Sequence, residues 1–430
     1  MDINRKVSFL ILKNVEEHKA YSNISTNSSI ARNKPTNPAF VRELVYGVLR
    51  NKIYLDFIIS GFVKTPIDKI NTNDVTIIRM GLYQLLFMDS VPEYAAVNES
   101  VILAKQYSKG RDGFINGVLR QYLRDKDYVT LPDRAEDEVL YLSTKYSYLK
   151  WIVEMLIEDY GVERAESLLA AGNIRPVLSI RANELRTNRE DLKTRLEDKG
   201  FTITDSERFD NMLFIKGYGL LDDSMYKSGL FSIQDEAAYM AVKALDPMPG
   251  EYVVDVCAAP GGKTMAIAEE MENLGEIKAI DYYKKKLILI EEAAKRLGIT
   301  IVETWSWDAT RSDPDLLEKA DRVLVDVPCS GIGTVRKKPE IKYKEWDEEF
   351  ESLPEKQLDI LVSSSRYVKR GGILVYSTCT LLERENEEVV RKFLRFDKDF
   401  EKVEIIKLTP DEDGTDGFFI CKMKRKDSIV

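Results

Sequence analysis

The sequence predicts an α/β protein in which an all-α front segment and a small α+β region precede a doubly wound domain built on a parallel sheet. Two patterns predict this order. Apolar residues recur at the spacing of amphipathic helices up to about residue 128, whereas strand-like and helix-like runs alternate strictly from about residue 248. The length of 430 residues, with 44% hydrophobic residues and only 14 prolines, fits about two to four folded domains.

We expect three domains, covering residues 1–130, 140–230 and 231–430. The first contains the helix-like stretches VSFLILKNV, FVRELVYGVLRNKIYLDFII, VTIIRMGLYQLLFM, AAVNESVILAKQY and FINGVLRQYL, and the acidic DKDYVTLPDRAEDE, with Pro132, indicates a linker after it. The second mixes helix-like runs with the strand-like VLSIRAN and MLFIKGYG. The third carries the strand-like YVVDVC, EIKAID, IVETWSWD, DRVLVDVP and GGILVYSTC, with a late FFICKMK. This rhythm predicts βαβ units.

Composition excludes several classes of catalytic site. The four cysteines, at positions 257, 329, 379 and 421, form no CxxC pair for zinc binding or thioredoxin-like chemistry, and their wide spacing argues against a disulfide scaffold. His18 is the single histidine, which excludes Ser-His-Asp triads and histidine-rich metal sites. We therefore expect no metal, and any catalysis must use carboxylates, lysines or thiols.

The charge is distributed unevenly along the chain. Residues 1–130 hold 18 Lys/Arg and 13 Asp/Glu, a net charge of +5, although the whole chain carries −9. A basic front segment on an acidic chain is expected where that segment contacts a polyanion, although a solvated helical surface gives the same imbalance. The sequence contains no run of about 18 apolar residues, and charged residues interrupt the first apolar stretch, so we expect no membrane span and a soluble protein of the reducing cytoplasm.

A glycine-rich turn follows the first strand of the third domain, in EYVVDVCAAPGGKTMAIAEEM. The order of strand, small-residue turn and helix allows a ligand to approach the backbone and a helix N-terminus. The turn is not an NTPase loop, because Cys257 occupies the position of the first glycine of GxxxxGK[ST]. Three acids, Asp255, Asp281 and Asp308, lie near the ends of successive predicted strands, where Asp281 could bind the ribose of an adenosine-bearing cofactor. An ordinary turn with an acidic rim is the alternative.

Two further cysteines end predicted strands. Cys329 follows DRVLVDVP and Cys379 follows GGILVYST, so both are expected at the sheet edge where open α/β proteins bind ligands. Each alone would be a buried structural thiol, but two at one edge, with Asp326 beside the first, favour chemistry. Cys257 and Cys421 lack such neighbours, and we interpret them as core or loop residues.

A basic run lies just after Cys329 and is interleaved with Tyr343 and Trp346. This pattern suits a loop that binds phosphates and stacks a base, whereas a solvated loop is the alternative. The residues predicted to contact RNA are Arg336, Lys337, Lys338 and Lys342.

The chain resembles the RNA (cytosine-5)-methyltransferases that use S-adenosylmethionine. The resemblance lies in DVCAAPGGKT, AID, DRVLVDVPCSGIGTVRKKPEIKY and LVYSTCTLLERENEE and covers residues 230–425. It implies a Rossmann-like class I methyltransferase sheet of seven strands, the last antiparallel. The helical front segment is similar to the NusB-type RNA-binding domain, and the combination implies 16S ribosomal RNA as the substrate. One departure is Lys338-Pro339-Glu340, where relatives often have His-Pro-Asp.

The resemblance also implies roles for the site residues. Cys379 would add to C6 of cytosine, Cys329 would assist release, and Asp326 would bind the N3/N4 edge of the base. Backbone dipoles, Lys263 or the cationic cofactor could stabilise the thiolate. Asp281 would bind the ribose, Asp308 would lie near the adenine and Asp326 near the methionine end. The remaining cofactor-binding residues would be Cys257, Ala258, Ala259, Pro260, Gly261, Gly262 and Lys263.

Two other functions remain open at this stage. The catalytic motifs are shared across the family, so transfer RNA is an alternative substrate that only the helical front segment argues against. A non-catalytic RNA-binding assembly factor with a methyltransferase fold is the other alternative, although both cysteines, Asp326 and the whole cofactor loop are present. We expect a monomer.

Overall fold

The computed structural model describes residues 1–18, 21–217 and 219–427. The chain forms two compact units. Residues 1–174 and 335–345 form a helical unit, and residues 175–334 and 346–430 form an α/β unit. Within the predicted middle region, residues up to 174 belong to the helical unit and residues from 175 onward belong to the α/β unit. The finer division into three domains stays a prediction.

The helical unit confirms the predicted all-α front segment. Its helix α5 is central, because eleven consecutive residues from Asp74 to Gln84 are buried. Helix α3 begins at Pro38, and the side chain of Asn37, at the N-cap, accepts the Phe40 N–H. The helices are α1 Ile3–His18, α2 Ser22–Asn33, α3 Pro38–Arg50, α4 Lys52–Phe62, α5 Thr72–Phe87, α6 Glu93–Tyr107, α7 Asp112–Asp125, α8 Glu138–Tyr146, α9 Lys150–Tyr160 and α10 Val162–Ala171.

The α/β unit begins with a small antiparallel sheet of four strands in the order β2-β3-β1-β4. Its buried side chains form a separate core. The predicted strand MLFIKGYG corresponds to β3, and its Tyr218 lies outside the described residues. The elements are β1 Leu178–Ala182, α11 Arg189–Asp198, β2 Thr202–Asp205, β3 Met212–Lys216, α12 Ser224–Lys227 and β4 Phe231–Ile233.

The large sheet confirms the predicted doubly wound fold of seven strands with the last strand antiparallel. Its order is β10-β11-β9-β8-β5-β6-β7. β11 runs antiparallel to β10 and β9, on its two sides, and the other neighbouring pairs are parallel. The elements are α13 Glu236–Leu245, β5 Tyr252–Val256, α14 Gly262–Glu270, β6 Glu276–Asp281, α15 Lys284–Leu297, β7 Val302–Ser306, β8 Ala320–Asp326, α16 Glu348–Ser365, β9 Val368–Thr378, α17 Glu387–Phe396, β10 Phe400–Leu408 and β11 Phe418–Arg425.

This topology brings the sequence motifs to one edge. The strand order reverses beside β5, and the crevice outside the carboxyl ends at such a reversal is where doubly wound sheets bind ligands. The glycine-rich turn follows β5, and Asp326 at the end of β8 is in register with Ser377 on β9. Within the described ranges, no helix is both long and apolar enough to cross a membrane.

Candidate active site

The glycine-rich loop turns sharply between β5 and α14. Cys257 has a φ of 61°, the Ala259–Pro260 peptide is cis, and Gly261 has a φ of 100°. A side chain at Gly261 would be strained at that φ, and its Cβ would lie 3.1 Å from Ile290 Cγ1. The loop therefore packs against α15 and delivers the chain to the N-terminus of α14, whose first amides have no partner within the helix.

Asp281 links this loop to the next turn. Its Oδ2 accepts the Ala259 N–H at 3.2 Å, and its Oδ1 accepts the Tyr283 N–H at 3.0 Å. Each carboxylate oxygen retains a second lone pair, so the same group can accept hydroxyl donors. Asp308 lies two residues beyond β7, and the Thr310 hydroxyl, which donates at 2.8 Å, lowers the pKa of Asp308. The backbone turn, the helix N-terminus and these two acids fit an adenosine-bearing cofactor.

Asp255 lies on β5 beneath the loop and is fully buried. Its Oδ2 accepts the Thr264 hydroxyl at 2.6 Å, and its Oδ1 has no hydrogen-bond partner in the part of the chain that the structure describes. Burial raises the pKa of Asp255 to about 7. Asp255 is thus an internal group that supports the loop through Thr264.

Lys263 and Asp326 form an ion pair at the edge of the sheet. Lys263 Nζ lies 2.7 Å from Asp326 Oδ2, and the Ser377 hydroxyl donates to Asp326 Oδ1 at 2.8 Å. Burial alone would lower the pKa of Lys263, but the Asp326 carboxylate raises it above its usual value. Lys263 is therefore a cation beside a carboxylate whose orientation is fixed from both sides.

The two predicted catalytic cysteines lie together. Cys329 Sγ is 3.2 Å from Cys379 Sγ, and both residues are half-buried. The Cys379 thiol and burial raise the pKa of Cys329 well above its usual value, so Cys329 is a neutral thiol near pH 7. Burial also raises the pKa of Cys257. Cys421, on β11, is fully buried in the core, as its sequence context indicated.

Glu385 and Asn386 lie at this site, although the sequence pattern does not single them out. Glu385 is fully buried, and its Oε2 accepts the Ser330 N–H at 2.8 Å and the Gln357 side-chain amide at 2.9 Å. Asn386 accepts the Thr378 hydroxyl at 2.5 Å. The available signal is ERENEE itself, because this polar run begins four residues after a strand-end cysteine.

The prediction that Lys342 contacts RNA phosphate is wrong. Lys342 is fully buried within the helical unit, and its Nζ donates to the carbonyls of Arg50 and Tyr146 and to Asn173 Oδ1, at 2.7, 2.8 and 2.7 Å. These acceptors, supplied by distant parts of the chain, occupy the donors that a phosphate would need. Arg336 is also buried, at 7% exposed, which argues against a phosphate contact there.

The other two residues of the basic run, Lys337 and Lys338, are half-buried, and their contact with RNA stays a prediction. In the departure Lys338-Pro339-Glu340, the Glu340 carboxylate accepts the backbone N–H and the hydroxyl of Ser22 at 3.0 and 2.7 Å. The segment 335–345 is therefore packed as part of the helical unit.

Comparison with known proteins decides the family. A Bacillus subtilis protein named as a probable ribosomal RNA small subunit methyltransferase B is 37% identical, with 98% of each chain covered. The chain belongs to the RsmB/F family. The family model described as 16S rRNA methyltransferase RsmB/F matches residues 242–424, the NusB family model matches residues 2–124, and the model of an RsmF/B-like ferredoxin-like domain matches residues 148–219.

Further relatives agree with this assignment. The ribosomal RNA small subunit methyltransferase B of Escherichia fergusonii is 31% identical over 90% of each chain. The crystal structure of PH0851 superposes with a TM-score of 0.83 and 28% identity over 98% of each chain. A methyltransferase homologue from Pyrococcus horikoshii gives a TM-score of 0.60 and 28% identity, covering 67% of this chain and 99% of that one. As an RsmB/F methyltransferase, the chain uses S-adenosylmethionine.

Proposed function

We propose that this RsmB/F protein transfers a methyl group from S-adenosylmethionine to C5 of a specific cytosine in 16S ribosomal RNA, through a covalent adduct between Cys379 and C6. The observation that carries the proposal is the pair of sulfur atoms 3.2 Å apart beside the Lys263–Asp326 ion pair. Two thiols and a carboxylate at one sheet edge match the needs of this reaction, because C5 of cytosine is too weak a nucleophile to react unaided.

The proposed reaction begins with attack of the Cys379 thiolate on C6. As the S–C6 bond forms, the C5=C6 electron pair moves to C4=C5 and the C4=N3 pair moves to N3. C5 thereby becomes an enamine carbon that can accept a methyl group. Asp326 accepts the N4–H of the base with a lone pair that Ser377 and Lys263 leave unused. When bound, S-adenosylmethionine supplies the methyl group.

Release requires loss of the C5 proton and cleavage of the S–C6 bond. The C5–H electron pair re-forms the C5=C6 double bond, and the S–C6 pair stays on Cys379 Sγ. Cys329, a neutral thiol 3.2 Å from that sulfur, can donate a proton to it. The C5 proton passes to water, from which Cys329 is reprotonated.

Lys263 is the group that we assign to stabilising the nucleophile. The charge of Cys379 raises the pKa of Lys263, although burial and Asp326 have larger effects on that pKa. The interaction is reciprocal, so an ammonium at Lys263 stabilises a thiolate at Cys379.

The cofactor assignment rests on the chemistry of the loop. We assign the loop from Cys257 to Lys263 and the N-terminus of α14 to the methionine part of the cofactor, and Asp281 to the ribose hydroxyls. Asp308 is assigned to the adenine side and Asp326 to the methionine end. We further propose that the protein is a monomeric enzyme of the cytoplasm and that it acts without a metal.

The substrate is tested by mapping 5-methylcytosine in ribosomal and transfer RNA from cells with and without this chain. We expect one 16S rRNA cytosine to lose its methyl group and to regain it when the wild-type chain is restored. Restoration of Cys379→Ala should leave it unmethylated. A loss confined to transfer RNA, or no loss at any cytosine, would contradict the proposed substrate.

A further inference from the structure

Glu385 connects the two loops that carry the cysteines. It ends the short helix Glu383–Glu385 after β9 and is fully buried. Its Oε2 accepts the Ser330 N–H at 2.8 Å, and its Oε1 accepts the Thr380 hydroxyl at 3.3 Å. Ser330 directly follows Cys329, and Thr380 directly follows Cys379, so one carboxylate contacts the residue after each cysteine.

Other bonds complete this connection. The hydroxyls of Ser330 and Thr380 lie 2.7 Å apart, and the Gly333 N–H donates to the Cys379 carbonyl at 3.0 Å. Asn386 accepts the Thr378 hydroxyl and donates to the Thr380 carbonyl at 3.1 Å. The backbone on both sides of Cys379 is therefore fixed relative to the Cys329 loop.

Burying a carboxylate to connect two loops costs free energy, because the charged group loses its hydration. Glu385 forms no salt bridge within the described ranges, and a buried carboxylate without a cation is stabilised only by its hydrogen bonds. Its charge contributes to the raised pKa of Cys329, after the effects of Cys379 and burial. The charge thus also favours the neutral form of the thiol that the release step uses.

We propose that Glu385 is a positioning residue that sets the distance between the two thiols, so that Cys329 can donate its proton to the sulfur of Cys379 during release. The inference rests on the proposed function, because release exists only if the adduct forms. Glu385 contacts neither the base nor the cofactor in this role and acts through the two loops.

Two substitutions at Glu385 distinguish a positioning role from a role in folding. Glu385→Ala removes the hydrogen bonds with Ser330 and Thr380. Glu385→Gln keeps the shape, because its carbonyl can accept from Ser330 and Gln357 while its amide donates to the Thr380 hydroxyl. Glu388→Ala is the matched control, since Glu388 lies three residues away on α17 and pairs with Arg391 at a distance of 3.5 Å on the surface.

The first measurement needs no RNA. Hydrogen exchange followed by mass spectrometry reports the protection of the Ser330 amide, whose acceptor is Glu385. We expect Glu385→Ala to accelerate exchange at Ser330 by about tenfold or more, while Glu385→Gln and Glu388→Ala stay near the wild-type rate. Unchanged exchange in Glu385→Ala would overturn the positioning role directly.

The second measurement is a single turnover with 16S rRNA, resolved on a denaturing gel. We expect methyl transfer by Glu385→Ala to stay within about threefold of wild type while release slows by about tenfold or more, so that RNA-linked enzyme accumulates. Glu385→Gln should restore release. Equal slowing of both steps, or failure of Glu385→Gln to restore release while Ser330 stays protected, would overturn the proposal.

The two measurements distinguish failure of this inference from failure of the proposed function. If Cys329→Ala never yields RNA-linked enzyme, the covalent mechanism is wrong, whatever Ser330 exchange shows. If Cys329→Ala yields the linked band and Glu385→Ala behaves like wild type, the mechanism stands and the role of Glu385 is refuted.

Discussion

Lys263 forms an ion pair with Asp326, and the charge of Cys379 also raises its pKa. These side chains at the sheet edge therefore depend on one another. Removing the ammonium should destabilise a thiolate at Cys379, because that thiolate would lose its cation. We expect Lys263→Met to slow methyl transfer by roughly 10²-fold at neutral pH and to approach the wild-type rate in alkaline solution.

Single-turnover rates between about pH 6 and 10 measure this effect. Lys243→Met is a suitable control, since Lys243 forms an exposed ion pair with Glu270 on α13 and α14. A pH profile for Lys263→Met that parallels wild type would mean that backbone dipoles or the cofactor stabilise the thiolate instead.

Asp255 gives a second prediction at the residue scale. Its pKa of about 7 in the folded chain exceeds the ordinary value of 3.8, so the folded state binds more protons between these values. Stability from this group is fully present below about pH 3.8 and is lost as the pH rises through about 7. The loss is on the order of 4 kcal/mol at most.

Asp255→Asn should remove this pH dependence, because an amide keeps an acceptor for Thr264 and cannot ionise. Urea unfolding at several pH values between 4 and 8 should show wild type losing stability relative to Asp255→Asn as the pH rises. A constant difference between the two across that range would show that Asp255 does not titrate in it.

At the scale of elements, local pattern predicted most of the fold and failed where distant residues decide burial. Six strands of the large sheet were named from their apolar runs. The edge strand β10 was not, because its Glu401, Lys402, Glu404 and Lys407 face solvent and a register shift between Lys402 and Glu404 interrupts the alternation. The seventh strand was expected from family resemblance alone.

The 335–345 segment shows the same limit in the candidate site. Its lysines predicted a phosphate-binding loop, yet Lys342 is buried because Arg50, Tyr146 and Asn173 supply three acceptors. No local pattern reveals such acceptors. In contrast, Cys329, Cys379 and Asp326 were predicted as one group, because strand ends of a parallel sheet meet at one edge. Lys263 was one of three candidates for stabilising the thiolate.

Lys342→Met tests this reassignment. The substitution leaves three buried acceptors without their donor and should destabilise the helical unit by about 2–3 kcal/mol, while Lys344→Met, at an exposed side chain, should have little effect. Chemical denaturation measures both. The RNA affinity of the folded Lys342→Met protein should keep the wild-type salt dependence. A slope of log affinity against log salt concentration that is reduced by about one unit would show instead that Lys342 contacts a phosphate.

On the scale of the whole molecule, chemistry and RNA recognition are predicted to reside in different parts of the chain. The proposed catalytic groups all lie in the α/β unit, whereas residues 1–130 carry a net charge of +5 and residues 2–124 match the NusB family model. We expect the basic front segment to contribute phosphate contacts, so that RNA affinity falls with salt while cofactor affinity changes little. Calorimetry with each ligand at two salt concentrations compares the two.

The central claim is that Cys379 attacks the base and Cys329 completes the reaction. It is tested most directly by incubating each alanine variant with 16S rRNA and S-adenosylmethionine and analysing the products on a denaturing gel. The account predicts RNA-linked enzyme with Cys329→Ala, attached through the peptide that contains Cys379, and neither adduct nor methylation with Cys379→Ala. An adduct formed by Cys379→Ala and absent with Cys329→Ala would contradict it.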